Sequence, residues 1–137
     1  MSQKKLEWDA KYSVGVEEID NQHKVMFATI NELVDAISEA PTREKISRIV
    51  EELVAYKKFH FATEEKYFKQ FNYAGAEEHI QRHREFSAKL DDLSKQFADD
   101  PIQLAFNLVD FLEDWLIYHL MNADQKYKEC FHEHGLK

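Results

Sequence analysis

The stretch FHFATEEKYF, residues 59–68, places one histidine and two adjacent glutamates in a run that also contains four aromatic residues. It belongs to a longer segment, residues 42–71, in which apolar side chains recur at helical spacing. Residues four apart on an α-helix are separated by about 400°, so Glu64 shares a face with His60, whereas Glu65 lies about 140° away. The pattern predicts a helix that buries His60 and Glu64, with Glu65 facing solvent or supporting a site indirectly.

Three further segments, residues 18–39, 76–97 and 101–128, show the same helical recurrence of apolar side chains. The breaks between all four segments are short. Helices of about 20 to 30 residues with short connections run antiparallel to their neighbours in sequence. The sequence therefore predicts an all-α fold, an up-down-up-down antiparallel four-helix bundle, formed by a single domain over residues 1–137.

Local signals mark the ends of these segments. Pro41 is expected to end the first helix, and Thr42 is expected to cap the N-terminus of the second. Asp100 stands directly before Pro101, an N-cap residue followed by a first-turn proline. Residues 1–17 lack the helical period, and we expect them to form an extended arm that lies on the bundle. Its larger apolar side chains, expected to cover one end, are Trp8, Tyr12, Val14 and Val16.

The composition restricts the class of protein. Gly (3) and Pro (2) are scarce, which favours helices over a turn-rich β fold. A net charge of -8 without a Lys/Arg cluster argues against a nucleic-acid partner and against an anionic membrane surface. No apolar run approaches the roughly 18 residues that a membrane span requires, and the N-terminus does not resemble a signal peptide. Cys130 is the only cysteine, so we expect a cytoplasmic protein without an internal disulfide.

Polar residues on the apolar stripes are the informative feature. Five of the seven histidines lie there: His23, His60, His79, His83 and His119. A single buried histidine is usually a hydrogen-bonded core residue. A pair of possible ligands four residues apart, such as His60 with Glu64 or His79 with His83, is a weak signal by itself. Burying five imidazoles and a carboxylate without compensation would be costly, because each polar group loses its hydration. The set therefore indicates that something charged binds among them.

Helix direction tests this interpretation. In an up-down bundle the starts of the first and third helices meet the ends of the second and fourth. The five histidines and Glu64 all fall at that common end, which unrelated core histidines would have no reason to do. These six groups outnumber the four ligands of one tetrahedral zinc site. Their number and chemistry suit two transition-metal ions that share a bridging carboxylate. The next carboxylate, Asp124, follows His119 by five residues, an offset of about 140° on an ideal helix, so geometry alone does not select it.

The spacing of these histidines and carboxylates resembles that of a known family. DNQHK at 20–24, HFATE at 60–64, HIQRH at 79–83 and HLMNAD at 119–124 resemble the ligand series of the hemerythrin family: one His, then HxxxE, HxxxH and HxxxxD. The opening WDAKYSVGVEEID, residues 8–20, is similar to the N-terminal arm of single-domain bacterial members. The match covers nearly the whole chain.

The resemblance implies reversible O2 binding at a non-haem centre of two iron ions, bridged by carboxylates and an oxo or hydroxo group. His79, His83 and His119 would hold the coordinatively filled iron, and His23 and His60 the iron with an open position. Glu64 and Asp124 would bridge the two ions. The positions that match the family's O2 pocket are Phe61, Trp115 and Leu116, residues that plain core packing would also explain.

The resemblance also implies a role. We expect a monomeric oxygen-binding protein for storage, transport or supply rather than an enzyme. Its oxygen would pass to an O2-consuming enzyme. The alternatives are a di-iron redox enzyme that acts on NO or peroxide, and a sensor whose O2 state another protein reads. No fused signalling domain is present in this sequence, which disfavours the sensor.

The C-terminal tail offers one competing motif. Glu129 and His132 form a single ExxH unit, whereas ferritin-like di-iron proteins use two such units from two helices. We therefore interpret the tail, with His134, as a solvated chain end rather than an accessory metal site.

Overall fold

The computed structural model describes residues 5–39 and 42–137. Four long helices make up most of it: α1 (Glu17–Glu39), α2 (Arg43–Gln70), α3 (Ala76–Gln96) and α4 (Pro101–Tyr118). Each packs against its neighbours in sequence, and α1 also packs against α4, which closes an antiparallel four-helix bundle. The predicted all-α fold class is confirmed, and the ends of the first three helices lie within one residue of those expected.

The expected capping residues begin α2 and α4. The Thr42 side chain accepts a hydrogen bond from the backbone N–H of Lys45 at 3.2 Å, and the Asp100 carboxylate accepts one from Gln103 at 3.1 Å. These bonds satisfy backbone donors that a helix N-terminus leaves without partners. Pro41, expected to end the first helix, lies outside the described residues.

The fourth segment departs from its prediction of one helix over 101–128. The α-helical pattern stops at Tyr118 and is followed by a π-helical segment, His119–Ala123, and then a 3-10 turn, Asp124–Tyr127. A short helix, α5 (Lys128–Glu133), completes the chain. A single-helix interpretation was wrong here because it assumed 3.6 residues per turn throughout, whereas a π turn contains more.

The N-terminal arm is described from residue 5 and runs along the bundle before it reaches the end. Leu6 exchanges two backbone hydrogen bonds with the Asn31 side chain, at 2.7 and 2.8 Å. Trp8 and Tyr12 pack edge-on against each other and against Phe27 of α1. The arm is extended apart from one 3-10 turn, Ala10–Tyr12. Residues 1–4 of the expected arm lie outside the described residues.

The C-terminal tail packs against the arm through Phe131 and His132, whereas Glu129 and His134 are exposed, so its interpretation as a solvated end holds only in part. Phe131 is fully buried, and the His132 ring donates from Nε2 to the Gly15 carbonyl at 2.9 Å. Gly15 adopts φ +70, and a Cβ at this position would lie 2.6 Å from the His132 ring. The arm and the tail therefore close the same end of the bundle together.

Among the described residues, the buried apolar side chains form two clusters. The smaller lies at the end that the arm and tail close, and the larger fills the rest of the bundle. The smaller one, here called the end cluster, consists of Val14, Val16, Ile19, Phe68, Tyr127 and Phe131. Across residues 5–39 and 42–137, no helix combines the length and apolar character needed to cross a membrane.

Candidate metal centre

All residues predicted to bind metal converge between the two apolar clusters. Their exposed fractions do not exceed 3%: His23, His60, Glu64, His79, His83, His119 and Asp124. On the side of the end cluster, the His79 ring lies 4.8 Å from Phe68 between centroids. On the other side, Phe61 stacks on His83 at 3.7 Å. The cluster is therefore a polar layer enclosed by apolar side chains.

The π-helical segment explains how Asp124 reaches this layer. Its backbone N–H donates to the His119 carbonyl, five residues earlier, which is the hydrogen bond of a π turn. One full turn thus spans the interval from His119 to Asp124, and the two side chains point to the same side. The Asp124 carboxylate oxygen Oδ1 lies 2.8 Å from His119 Nε2.

The nitrogen and oxygen atoms form two sets that could each hold a cation. One set comprises Glu64, His79, His83 and His119, and the other comprises Glu64, His23 and His60, with the atoms of each set within 4.8 Å of one another. Glu64 belongs to both. Its Oε1 lies 3.1 Å from Nε2 of His83 and 3.3 Å from Nε2 of His60.

Asp124 also faces both sets, with one oxygen on each side. Its Oδ2 lies 3.2 Å from His23 Nε2, and its Oδ1 lies 3.1 Å from His79 Nε2. The imidazoles themselves face one another: the Nε2 atoms of His23 and His60 are 3.0 Å apart. Two carboxylates therefore lie between two groups of imidazoles, as a shared position between two cations requires.

Several of these atoms have no hydrogen-bond partner within the described part of the chain. They are Oε1 of Glu64, both carboxylate oxygens of Asp124 and Nε2 of His83. Buried polar atoms are normally paired, so a converging group of unpaired acceptors needs another explanation. Lone pairs directed at common points fit a cation, and imidazole with carboxylate suits iron. The residues therefore fit the non-haem iron that the resemblance implies.

Two of the histidines are held in orientation by hydrogen bonds at Nδ1, the ring nitrogen that faces away from the centre. His60 donates from Nδ1 to Oε1 of Gln22 at 2.7 Å, and His83 donates from Nδ1 to Oε2 of Glu65 at 2.9 Å. Both acceptors are oxygens, so each ring carries its proton on Nδ1 and presents Nε2 to the centre as a free electron pair. Glu65, placed outside the core by helical geometry, therefore acts through His83.

Tyr127 performs a similar role for a carboxylate. It is fully buried, and its hydroxyl donates to Oε2 of Glu64 at 2.6 Å. Burial, followed by the charges of Asp124 and Glu64, raises the pKa of Tyr127 well above its usual value. The phenol therefore remains a donor, which leaves Oε1 of Glu64 to face the histidines.

The charges of the metal-free cluster are coupled. Burial acts to raise the pKa of Glu64 and of Asp124, but neighbouring imidazoles outweigh it and hold both pKa values well below their usual range. Burial acts to lower the pKa of His79, yet the adjacent carboxylates of Asp124 and Glu64 raise it to about 10. Burial lowers the pKa of His23. Without metal, an imidazolium thus compensates the carboxylates.

Uptake of ferrous iron by the metal-free protein is expected to release protons at neutral pH. His79, with a pKa of about 10, is protonated there and must lose its proton before Nε2 can bind a metal. The release from His79 should be complete below this pKa and should disappear as the pH rises through it. An anaerobic titration in weakly buffered indicator solution measures the effect, and iron uptake without proton release at neutral pH would contradict it.

Replacement of Tyr127 by phenylalanine is expected to destabilise the metal-free protein by about 1 to 3 kcal/mol, because a buried carboxylate oxygen loses its donor. Urea unfolding of the two metal-free proteins measures the difference in the free energy of unfolding. Tyr118→Phe is the matched control, since Tyr118 is 60% exposed and the same hydroxyl is removed from the surface. Equal stability of the two variants would show that the bond to Glu64 contributes nothing.

The residues expected to line an O2 pocket lie beside the polar layer. Phe61 stacks on His83, and Trp115 stacks on His119 with ring centroids 4.2 Å apart. The Phe61 and Trp115 rings are 6.1 Å apart, and Leu116 is buried in the larger apolar cluster. Their assignment to an O2 pocket stays a prediction.

Sequence reasoning missed the residues that orient the centre. Gln22 precedes His23, and Tyr127 follows Asp124 by three residues, yet neither lies in a recognisable spacing with the residue it supports. Their partners, His60 and Glu64, are distant in sequence, so only the assembled bundle shows these contacts. For Tyr127 the available signal was its large aromatic ring three residues after Asp124, near the end of the segment predicted to form the fourth helix.

A bundle of four helices with a buried layer of imidazoles and carboxylates defines a class of metal-binding helical proteins. Residues 14–131 match the hemerythrin HHE cation binding domain. A hemerythrin-like protein from Naegleria gruberi is 32% identical over 121 residues, or 88% of this chain and 89% of that protein. A bacteriohemerythrin from Clostridium acetobutylicum is 28% identical over 124 residues, which is 88% of this chain and 96% of that protein.

Solved structures agree with these relatives. The crystal structure of a wild-type hemerythrin has a TM-score of 0.83 and 28% sequence identity, with 91% of this chain and 96% of that chain covered. The chain belongs to the hemerythrin family.

Proposed function

We propose that this protein binds O2 reversibly at a non-haem di-iron centre, for oxygen storage, transport or supply. The observation that carries the proposal is the pair of imidazole groups that share Glu64 and Asp124. A single metal ion would not need two carboxylates that each face both groups. Membership of the hemerythrin family supports the same function.

The proposed division of the site follows the two groups. His79, His83 and His119 would hold one iron ion, His23 and His60 the other, and both carboxylates would bridge. The group with fewer imidazoles would leave a position for O2. When bound, ferrous iron would supply electrons to O2 and recover them when O2 leaves.

The protein's own residues control what reaches this position. Glu64 and Asp124 offset the charge of two cations, which makes their burial tolerable. Phe61 and Trp115 cover imidazoles with their ring faces, and we assign them, with Leu116, to the walls of an apolar O2 pocket. Exclusion of water from such a pocket limits proton-driven loss of the bound oxygen. No side chain is required to act as an acid or base.

Optical spectra of the reduced, iron-loaded protein provide the test. They should be recorded before O2, after O2 and after removal of O2. A charge-transfer absorption that appears with O2 and disappears on its removal, with the starting spectrum restored, supports a carrier. Irreversible oxidation at the first exposure would exclude reversible binding and would favour the alternative, a redox enzyme that acts on O2, NO or peroxide.

The proposal extends to the domain organisation, oligomeric state and cellular location of the protein. We propose a single domain over residues 1–137 that acts as a monomer in the cytoplasm, without catalytic turnover as its main role. A single cysteine, Cys130, and a net charge of -8 are compatible with this location. An O2-consuming enzyme would be the recipient of the oxygen.

A further inference from the structure

In each half of the proposed centre one histidine donates a hydrogen bond from Nδ1, and the two acceptors are different chemical groups. His60, in the half with two imidazoles, donates to a carboxamide, whereas His83, in the half with three, donates to a carboxylate. The rings are otherwise comparable, since both are buried and both direct Nε2 at Glu64. The difference therefore lies in the charge behind each ring.

Hydrogen bonds fix the orientation of the neutral acceptor, the Gln22 carboxamide. Gln22 is 5% exposed, and its Nε2 donates to Thr63 Oγ1 at 3.1 Å. The Thr63 hydroxyl in turn donates to the Phe59 carbonyl at 3.1 Å, so it can only accept from the amide. This chain of donors holds Oε1 of Gln22 towards His60. No charge stands behind the His60 ring in this chain of hydrogen bonds.

The anionic acceptor, the Glu65 carboxylate, is partly exposed to solvent. The Glu65 side chain is 37% exposed. It lines a cleft between α2 and α3 of about 400 Å³, together with Phe61 and His83. Solvent screens part of its charge, so its influence on His83 is weaker than that of a fully buried carboxylate.

An imidazole that donates to a carboxylate is a more basic metal ligand than one that donates to an amide. Greater basicity at Nε2 stabilises a ferric ion more than a ferrous ion, because the higher charge gains more from the added electron density. We propose that Gln22 and Glu65 are positioning residues that make the two irons electronically unequal, with Glu65 favouring the ferric state at the three-histidine iron and Gln22 favouring the ferrous state at the iron that meets O2. The proposal rests on the di-iron function proposed above.

Four variants separate this effect from simple charge removal. Glu65→Gln replaces the carboxylate behind His83 with an amide, and Gln22→Glu does the reverse behind His60. The double variant exchanges the two groups at constant net charge. Glu85→Gln is the matched control, because Glu85 is an exposed carboxylate two residues after His83 on the same helix. Glu65→Gln changes a partly exposed residue and carries the test if Gln22→Glu fails to fold.

The measurements are a redox titration of the iron-loaded proteins and their ferrous affinity by competition with a chelator. We expect Glu65→Gln to reduce the preference for ferric over ferrous iron about tenfold, which raises the midpoint potential by about 59 mV for a one-electron step. Gln22→Glu should lower the potential. In the double variant, Mössbauer spectra of the one-electron-reduced state should show the ferric ion moved to the other position.

The outcomes are decisive in both directions. A shift in Glu65→Gln that Glu85→Gln does not reproduce supports the proposal. Equal potentials in these two variants, with iron fully bound, would overturn it while leaving the O2-binding function intact. A wild-type protein that binds no iron would instead refute the proposed function itself.

Discussion

Replacement of Glu64 by alanine is expected to reduce iron retained per chain by more than about tenfold and to abolish the O2-dependent absorption. Glu64 is the one residue common to both sets of metal-binding atoms, so its loss opens both positions at once. It also removes a buried negative charge while the imidazolium of His79 stays in place, and an uncompensated buried charge is strongly unfavourable. Iron analysis after gel filtration measures the first effect, and optical spectra under O2 measure the second.

The matched control is the neighbouring residue. Glu65→Ala removes the same kind of side chain one position along α2, but the Glu65 carboxylate accepts a hydrogen bond from Nδ1 of His83 and belongs to neither set of metal-binding atoms. This variant should still bind iron, with at most weakened affinity. Equal loss of iron from the two variants would show that position on the helix face does not decide the role of these glutamates. A His60→Ala variant should likewise lose iron or O2 binding.

Deletion of Met121 is expected to preserve the centre, although it shortens the motif from HLMNAD to HLNAD. Met121 is 40% exposed, so its side chain contributes little to the core. Without it, Asp124 would follow His119 by four positions, and an ordinary α-helical turn would bring the two side chains to one face. We expect near wild-type iron content and a helix that no longer needs its π turn.

Insertion of one alanine after Met121 is the opposing change and should be damaging. It would place Asp124 six positions after His119, about 240° around an α-helix, and would shift Tyr127 and Phe131 in the same way. Circular dichroism confirms that each variant folds, and iron analysis gives the result. If the deletion variant loses iron as completely as the insertion variant, then the π turn does more than bring Asp124 to the same side of the helix as His119.

The sequence allowed the bundle and most of the site to be predicted because both depend on helical periodicity. Apolar spacing gave the helices, and helix direction placed the five histidines and Glu64 at one end before any contact was known. These arguments need only a regular helix and antiparallel neighbours. They hold wherever the backbone stays regular, as it does over α1, α2 and α3.

The same arguments failed where the backbone is irregular. Asp124 was not selected by geometry because an ideal helix places it far from His119, and no feature of LMNA signals a π turn. The burial of part of the tail was missed for a related reason: Phe131 is buried by the other residues of the end cluster, most of which are distant in sequence. Gln22 and Tyr127 were missed because hydrogen bonds between helices leave no periodic trace.

The extent of the polar layer along the chain has a consequence for assembly. Its residues run from His23 to Asp124, so the centre exists only when every helix of the bundle has taken its place. A nascent or partly folded chain can offer at most the His60 and Glu64 or His79 and His83 pairs, which bind metal far more weakly than the complete set. Iron is thus expected to enter last, and its presence would mark chains that have finished folding.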